Sequence, residues 1–141
     1  MARPVSVAIV GAGFGGIAAA IALKQHGVQD VVVLERGDRV GGVWRANTYP
    51  GLACDVPSHL YSFSFAPNPR WSRRYSPRED IQRYVDDVAR RFDVMRHVRF
   101  GRDVERAMVD LVAAYGARSV DEAVSFVADL KKKGRYHQDV Y

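Results

Sequence analysis

A single cysteine, Cys54, leaves the chain unable to form an intrachain disulfide, which excludes a disulfide-stapled scaffold and fits a reducing compartment. Its four histidines show none of the spacings that bind metal. No apolar run approaches the roughly 20 residues of a membrane span, and the opening MARPVSVAIV holds no apolar stretch of signal-peptide length. The expectation is a cytoplasmic protein with no membrane partner and no metal. Negative charge is in the minority: 21 Lys and Arg outweigh 16 Asp and Glu, for a net +5. Arginines gather in PRWSRRYSPRED, Pro69 to Asp80, with Trp71 and Tyr75 between them. Such interleaving occurs in single-strand nucleic-acid binders, but no recognised nucleic-acid module accompanies it. The segment reads instead as a solvated loop or a basic wall around an anionic ligand, with no nucleic-acid partner.

What is present starts with 141 residues, 48% hydrophobic and 26% charged, enough for one globular core. The stretch Val5 to Trp44 organises it. Val5 to Val10 has the length and β-branched content of a buried strand, and Gly11, Gly13 and Gly16 follow at the G-x-G-x-x-G spacing, with Phe14 and Gly15 inside the motif. Gly11 permits the turn, Gly13 admits a pyrophosphate to the backbone, and Gly16 lets a helix pack close to the strand. The phosphates then face a helix N-terminus, where unpaired N–H groups favour negative charge. Glycine-rich turns are common, so context decides. An Ala-rich helix from Gly15 to His26 closes before Gly27, and Val31 to Leu34 supply a second apolar strand. Glu35 ends that strand 19 residues after Gly16, where an acid accepts the ribose hydroxyls of the adenosine half of a dinucleotide. Its charge disfavours a 2′-phosphate, although the adjacent Arg36, counted with the cofactor-binding residues, softens that argument.

The run ERGDRVGGVW resembles the glycine-pair segment that follows the second strand in FAD enzymes of the glutathione reductase type, and the resemblance implies FAD rather than NAD. Beyond it, Arg45 to Tyr75 is long and irregular, yet six aromatics from Tyr49 to Tyr75 argue against disorder and for function. GGVWRANTYPGLACDVPSHLYSFSF is similar to the flavin-contacting stretch of class B flavin monooxygenases, of the Baeyer-Villiger type. The pattern is met by Gly41, Gly42, Trp44, Asn47, Tyr49, Pro50, Gly51, Asp55 and Tyr61. The resemblance implies that Gly42, Val43, Trp44 and Tyr61 lie against the flavin and that Asp55 sits where flavin and nicotinamide meet, as a catalytic and cofactor-contacting carboxylate. Read from the residues alone, Asp55 between Cys54 and Val56 is either a carboxylate in an apolar setting, able to tune a flavin or orient an arginine, or a turn cap. Trp44 and Tyr61 are equally readable as core aromatics, and Cys54 as a small buried residue.

From Ser76 a helix is signalled, with Ser76 as N-cap, Pro77 at the first position and Glu79 completing a capping box. Ile81, Tyr84, Val85, Val88 and Phe92 share one face, and His97 to Phe100 read as a third strand. Up to Gly101 the chain follows the monooxygenase pattern; the second glycine-rich fold that binds NADPH in that family does not follow. Arg102 to Tyr141 instead resembles the extreme C-terminus of NADPH-dependent diflavin reductases of the sulfite reductase flavoprotein type. One helical face runs from Val104 to Tyr115, and Ser119 with Glu122 makes a capping box for a second helix. In that family the tail matched by Gly134, Arg135, Tyr136, Asp139, Val140 and Tyr141 ends on the flavin, which implies a hydride-transfer role for Asp139 and a stacking role for Tyr141.

The fold expected is α/β: a Rossmann-like FAD-binding βαβ with a short parallel sheet in order 3-2-1, plus two C-terminal helices. Residues 1–101 form a partial FAD-binding domain and 102–141 a helical segment, with a junction near 101–107. The first strand has a free edge, which the new helices or self-association would have to cover. In function this is the FAD-binding portion of an NADPH-dependent monooxygenase, incomplete as it stands, acting on a small-molecule ketone or heteroatom if completed. A noncatalytic dinucleotide-binding module and a reductase remnant are the alternatives.

Overall fold

The computed structural model describes residues 7–104 and 106. Strand β1 (Val7–Val10) leads through the glycine turn into helix α1 (Phe14–Gln25), then β2 (Val31–Leu34) and a one-turn helix α2 (Val43–Ala46). A long irregular connection reaches helix α3 (Arg78–Arg91), and a 3-10 turn at Met95–His97 delivers β3 (Val98–Arg99). The sheet order is β1-β2-β3, all parallel, with Val7 beside Val31 and Val33 beside Val98. This is the expected α/β, Rossmann-like arrangement with β2 in the centre. Val5 and, apart from Val104 and Arg106, the two helices expected beyond Arg102 lie outside the described residues. The chain divides between Arg102 and Asp103 into two units, and of the second only Asp103, Val104 and Arg106 are described.

The centre of the sheet is buried because a parallel sheet takes cover on both faces. Val31 and Val33 of β2 are buried, whereas Val7 and Ile9 of β1 are half-buried and Ala8 and Val10 exposed. Helix α1 lays Ile17, Ala20 and Ile21 into the core, and α3 brings Tyr84, Val85, Val88 and Ala89. α1 stops at Gly27, whose φ of 85° suits only a residue without Cβ, while the N–H groups of His26 and Gly27 return to the carbonyls of the last turn. Lys24 then ties the two helices together, donating to the carbonyl oxygens of Phe92 and Asp93 at 2.9 and 2.7 Å.

The expected capping box at Ser76 does not form: α3 starts one residue later, with Pro77 as its N-cap and no side-chain cap. Every polar group of Ser76 is engaged in closing the preceding loop. Its N–H donates to Ser58 Oγ, its Oγ to the Arg73 carbonyl, and its own carbonyl accepts the N–H of Cys54. The third strand is also shorter than expected, two residues rather than four, because His97 is spent in the 3-10 turn and Phe100 falls in the bend that follows.

Between α2 and α3 there is one isolated antiparallel bridge, Ala53 with Pro77, and no other regular pairing. Ring packing holds this segment. Phe63 lies 5.0 Å from Phe14 and 5.9 Å from Tyr84 between ring centroids, and Trp71 lies 5.1 Å from Tyr84. The Tyr84 hydroxyl stitches the same loop, accepting the N–H of Phe63 and donating to the Ala66 carbonyl, both at 2.8 Å.

Candidate functional site

The site is built where three backbone segments meet at the C-terminal end of the sheet: the glycine turn after β1, the loop after β2, and the start of α2. Gly11 N–H donates to the Leu34 carbonyl at 2.7 Å, so the turn is tied to the end of β2. A Cβ on Gly16 would run into the Gly11 carbonyl, which is the close helix–strand approach that the spacing implied. The first turn of α1 contains no acidic residue, and its leading N–H groups have no acceptor within the helix. An anion is therefore favoured at this end.

Gly13 faces Gly42. A Cβ on Gly42 would sit 3.0 Å from the Gly13 Cα, and one on Gly13 3.5 Å from the Gly42 Cα. Gly41 N–H donates to the Ala12 carbonyl at 2.9 Å, locking the two loops side by side. The glycine pair and the phosphate turn, 29 residues apart from Gly13 to Gly42 in sequence, thus form one glycine-lined cradle. Its shape fits a ligand whose phosphates need direct access to backbone.

Glu35 is buried, and both of its carboxylate oxygens are engaged by the cradle itself. One accepts the N–H of Ala12 at 2.7 Å, the other the N–H of Gly37 at 2.7 Å. Each oxygen keeps a further lone pair for a ligand hydroxyl. Arg36 beside it is exposed. In the same loop Asp38 accepts from Arg45 Nη2 at 2.6 Å, and this hydrogen bond holds its carboxyl below the ordinary carboxylate range.

Phe14, Trp44 and Tyr61 come together. Trp44 Nε1 donates to Tyr61 Oη at 3.0 Å, and the Tyr61 ring stands edge-on to Trp44 and to Phe14, with centroids 5.6 and 5.0 Å apart. Trp44 is buried with Cys54 and Ile81, with Phe14 and Tyr61 packed against them, so the core reading of these aromatics holds and their cluster lies beside the cradle. Val43 is 63% exposed. Asp55 is not in an apolar setting: it is exposed, as is its neighbour Val56. Flanking apolar residues misled there because an irregular loop does not bury neighbours together. Asp139 and Tyr141 lie outside the described residues.

Sequence reasoning missed two residues on α3. Arg78 Nε donates to the Trp44 carbonyl at 2.8 Å and its Nη2 to that of Arg45 at 3.2 Å. Gln82 Nε2 donates to the Val40 carbonyl at 2.8 Å. They stand one helical turn apart, but no sequence signal names partners more than 30 residues back.

Residues 9–77 match the family model described as an NAD(P)-binding Rossmann-like domain. A Baeyer-Villiger monooxygenase of Streptomyces coelicolor is 56% identical over 106 residues, 75% of this chain and 20% of that protein. One from Pseudomonas aeruginosa is 49% identical over 85 residues, 60% of this chain and 16% of its own length. Among solved structures, an oxidised steroid monooxygenase bound to NADP aligns with a TM-score of 0.64 at 41% identity, covering 67% of this chain and 19% of that one. The FAD-bound OTEMO aligns at 0.65 and 32%, covering 72% and 20%. The chain thus spans about one fifth of the length of these relatives. Among the described residues no helix is long and apolar enough to cross a membrane. In sequence and in fold, the described part of this chain matches the N-terminal FAD/NAD(P)-binding region of flavin monooxygenases of the Baeyer-Villiger type.

Proposed function

We propose that this chain binds FAD in its Rossmann-like unit and serves as the flavin-binding part of an NADPH-dependent monooxygenase acting on a ketone or soft heteroatom of a small molecule. The observation that carries this is the apposition of Gly13 and Gly42 at the N-terminus of α1. Backbone N–H groups there receive the pyrophosphate, and the Glu35 carboxylate holds both the ribose and the turn that binds the phosphates. Gly42, Val43, Trp44 and Tyr61 wall the flavin and exclude water from one side, while exposed Asp55 stays free to meet a partner group. When bound, FAD accepts hydride from NADPH and activates oxygen. The reading extends to residues 102–141, where the tail ending in Asp139 and Tyr141 is of the diflavin-reductase kind. We place the protein in the cytoplasm on its single cysteine.

The test is a titration of the purified full chain with FAD, followed by flavin fluorescence quenching. Gly13→Ala separates binding from folding, since the added Cβ makes only ordinary contact with Gly42 in the ligand-free fold but occupies the phosphate approach. Affinity is expected to fall at least about tenfold with the melting temperature held. A wild-type chain that neither carries nor takes up FAD overturns the proposal.

A further inference from the structure

We infer that Gln82 is a positioning residue for the cradle: from α3 it sets the Gly41–Gly42 backbone against Gly13. The inference deepens the FAD reading above and rests on it. Gln82 is 5% exposed, and its Nε2 hydrogen bond to the Val40 carbonyl, at 2.8 Å, spans 42 residues of sequence. Its amide lies over the Gly41 Cα so closely that any Cβ there would strike Oε1 and Nε2. Gly41 has a φ of 126°, a conformation that an L side chain adopts only under strain, and a Cβ there would also have to push the Gln82 amide aside. From Gly41 the constraint passes two ways: through its N–H to the Ala12 carbonyl at 2.9 Å, and through the next residue to Gly13. The segment that forms one wall of the cradle is thereby clamped between the glycine turn and α3.

A second tether runs parallel. Asp86 Oδ2 accepts from Arg39 at 2.7 Å and from Gln82 Nε2 at 3.3 Å. Arg39 is largely exposed, and pairs of that kind hold geometry weakly. The buried amide is the stronger tie. It is also an odd residue for packing alone. Ile81, Tyr84 and Val85 surround it with apolar bulk in the sequence of α3, and its Oε1 is buried with no hydrogen-bond partner. A buried unpaired acceptor is a cost that a leucine would avoid. What an amide provides there and a leucine does not is the donor to Val40.

The experiment uses the full chain with Gln82→Leu and Gln82→Met, both close to glutamine in volume. Three readings are taken: thermal midpoint without FAD, amide hydrogen exchange at Gly41 without FAD, and the FAD dissociation constant. The expected result is a folded chain with at most a modest fall in midpoint, since the Val40 carbonyl loses its donor while the unpaired Oε1 is removed, together with about tenfold faster exchange at Gly41 with the β2 amides unaffected, and about tenfold weaker FAD binding. Unchanged exchange and affinity in both variants overturn the inference. Loss of the fold in both also overturns it, because the role would then be structural. If the wild type takes up no FAD while the exchange result holds, the FAD reading fails and the mechanical role of Gln82 in the loop stands.

Discussion

The Tyr84 hydroxyl is held on both sides, by the N–H of Phe63 and by the carbonyl of Ala66. Tyr84→Phe keeps the ring in its aromatic cluster and leaves those two backbone groups without partners, so a loss of about 1–2 kcal/mol in a urea melt is expected. Burial, only partly offset by the Phe63 hydrogen bond, raises the Tyr84 pKa above its ordinary value of 10.0. The neutral hydroxyl is the form the fold prefers. Its contribution is complete below pH 10.0 and disappears as the pH climbs through the raised folded value. Wild type is therefore expected to lose stability more steeply than Tyr84→Phe as the pH rises from 10.0 to that raised value, and parallel alkaline profiles would refute the assignment. Gly16 behaves differently from Gly13. Gly16→Ala drives a Cβ into the Gly11 carbonyl, so here the fold itself weakens, by about 1–3 kcal/mol in the same melt, whether or not FAD is added. The glycine spacing made both residues legible in the sequence and already gave them different roles, Gly13 toward a phosphate and Gly16 toward the strand. The geometry adds which of the two the bare fold can spare: a Cβ meets the Gly11 carbonyl at Gly16 but only ordinary contact with Gly42 at Gly13.

At the scale of elements, α3 is the support on which the cradle rests. Arg78 holds the carbonyls of Trp44 and Arg45 at the end of α2, and Gln82 holds that of Val40 ahead of it. Arg78→Ala releases α2, and with charge-assisted bonds worth about 1.5–3 kcal/mol the chain is expected to lose roughly that much stability. Trp44 should become more exposed, seen as a red shift of tryptophan emission. Lysine is not expected to restore the wild-type value, since it lacks the planar fork that reaches two carbonyls at once. An unshifted spectrum and an unchanged melt in Arg78→Ala would show that α2 stands without this support. α3 itself was legible, because Ile81, Tyr84, Val85 and Val88 repeat at helical spacing and are buried. Its start was not. Ser76, Pro77 and Glu79 have the pattern of a capping box, but the tertiary demand for Ser76 in closing the loop with Ser58, Arg73 and Cys54 outweighed the local preference. The segment from Asn47 to Tyr75 was legible as irregular and ordered by its aromatics, but its path was not: Phe63 and Trp71 pack on rings of other elements, and periodicity does not encode such contacts.

For the molecule as a whole, the sheet order follows from short-range patterns: two apolar runs flanking a glycine turn and helix force a right-handed βαβ crossover, and that alone sets β1 parallel to β2. What those patterns leave open is the far side of β1. Among the described residues no strand pairs with that edge, and β1 differs from β2 in having no buried residue. A strand whose N–H and C=O groups lack partners on one side is a template for another strand. Exposed Val10, at 60%, adds apolar surface at its end. The edge is short, and it carries no lysine or proline within Val7–Val10 to deter pairing. The expected outcome is self-association that grows with concentration, read as a rising weight-average sedimentation coefficient across a dilution series. Ala8→Lys places a charge at the exposed middle of the edge, away from the glycine turn, and should lower the association at every concentration while FAD binding is retained. If wild type and variant sediment alike, the β1 edge is not where copies meet. If wild type is a single monomeric species throughout, the edge carries no contact between copies.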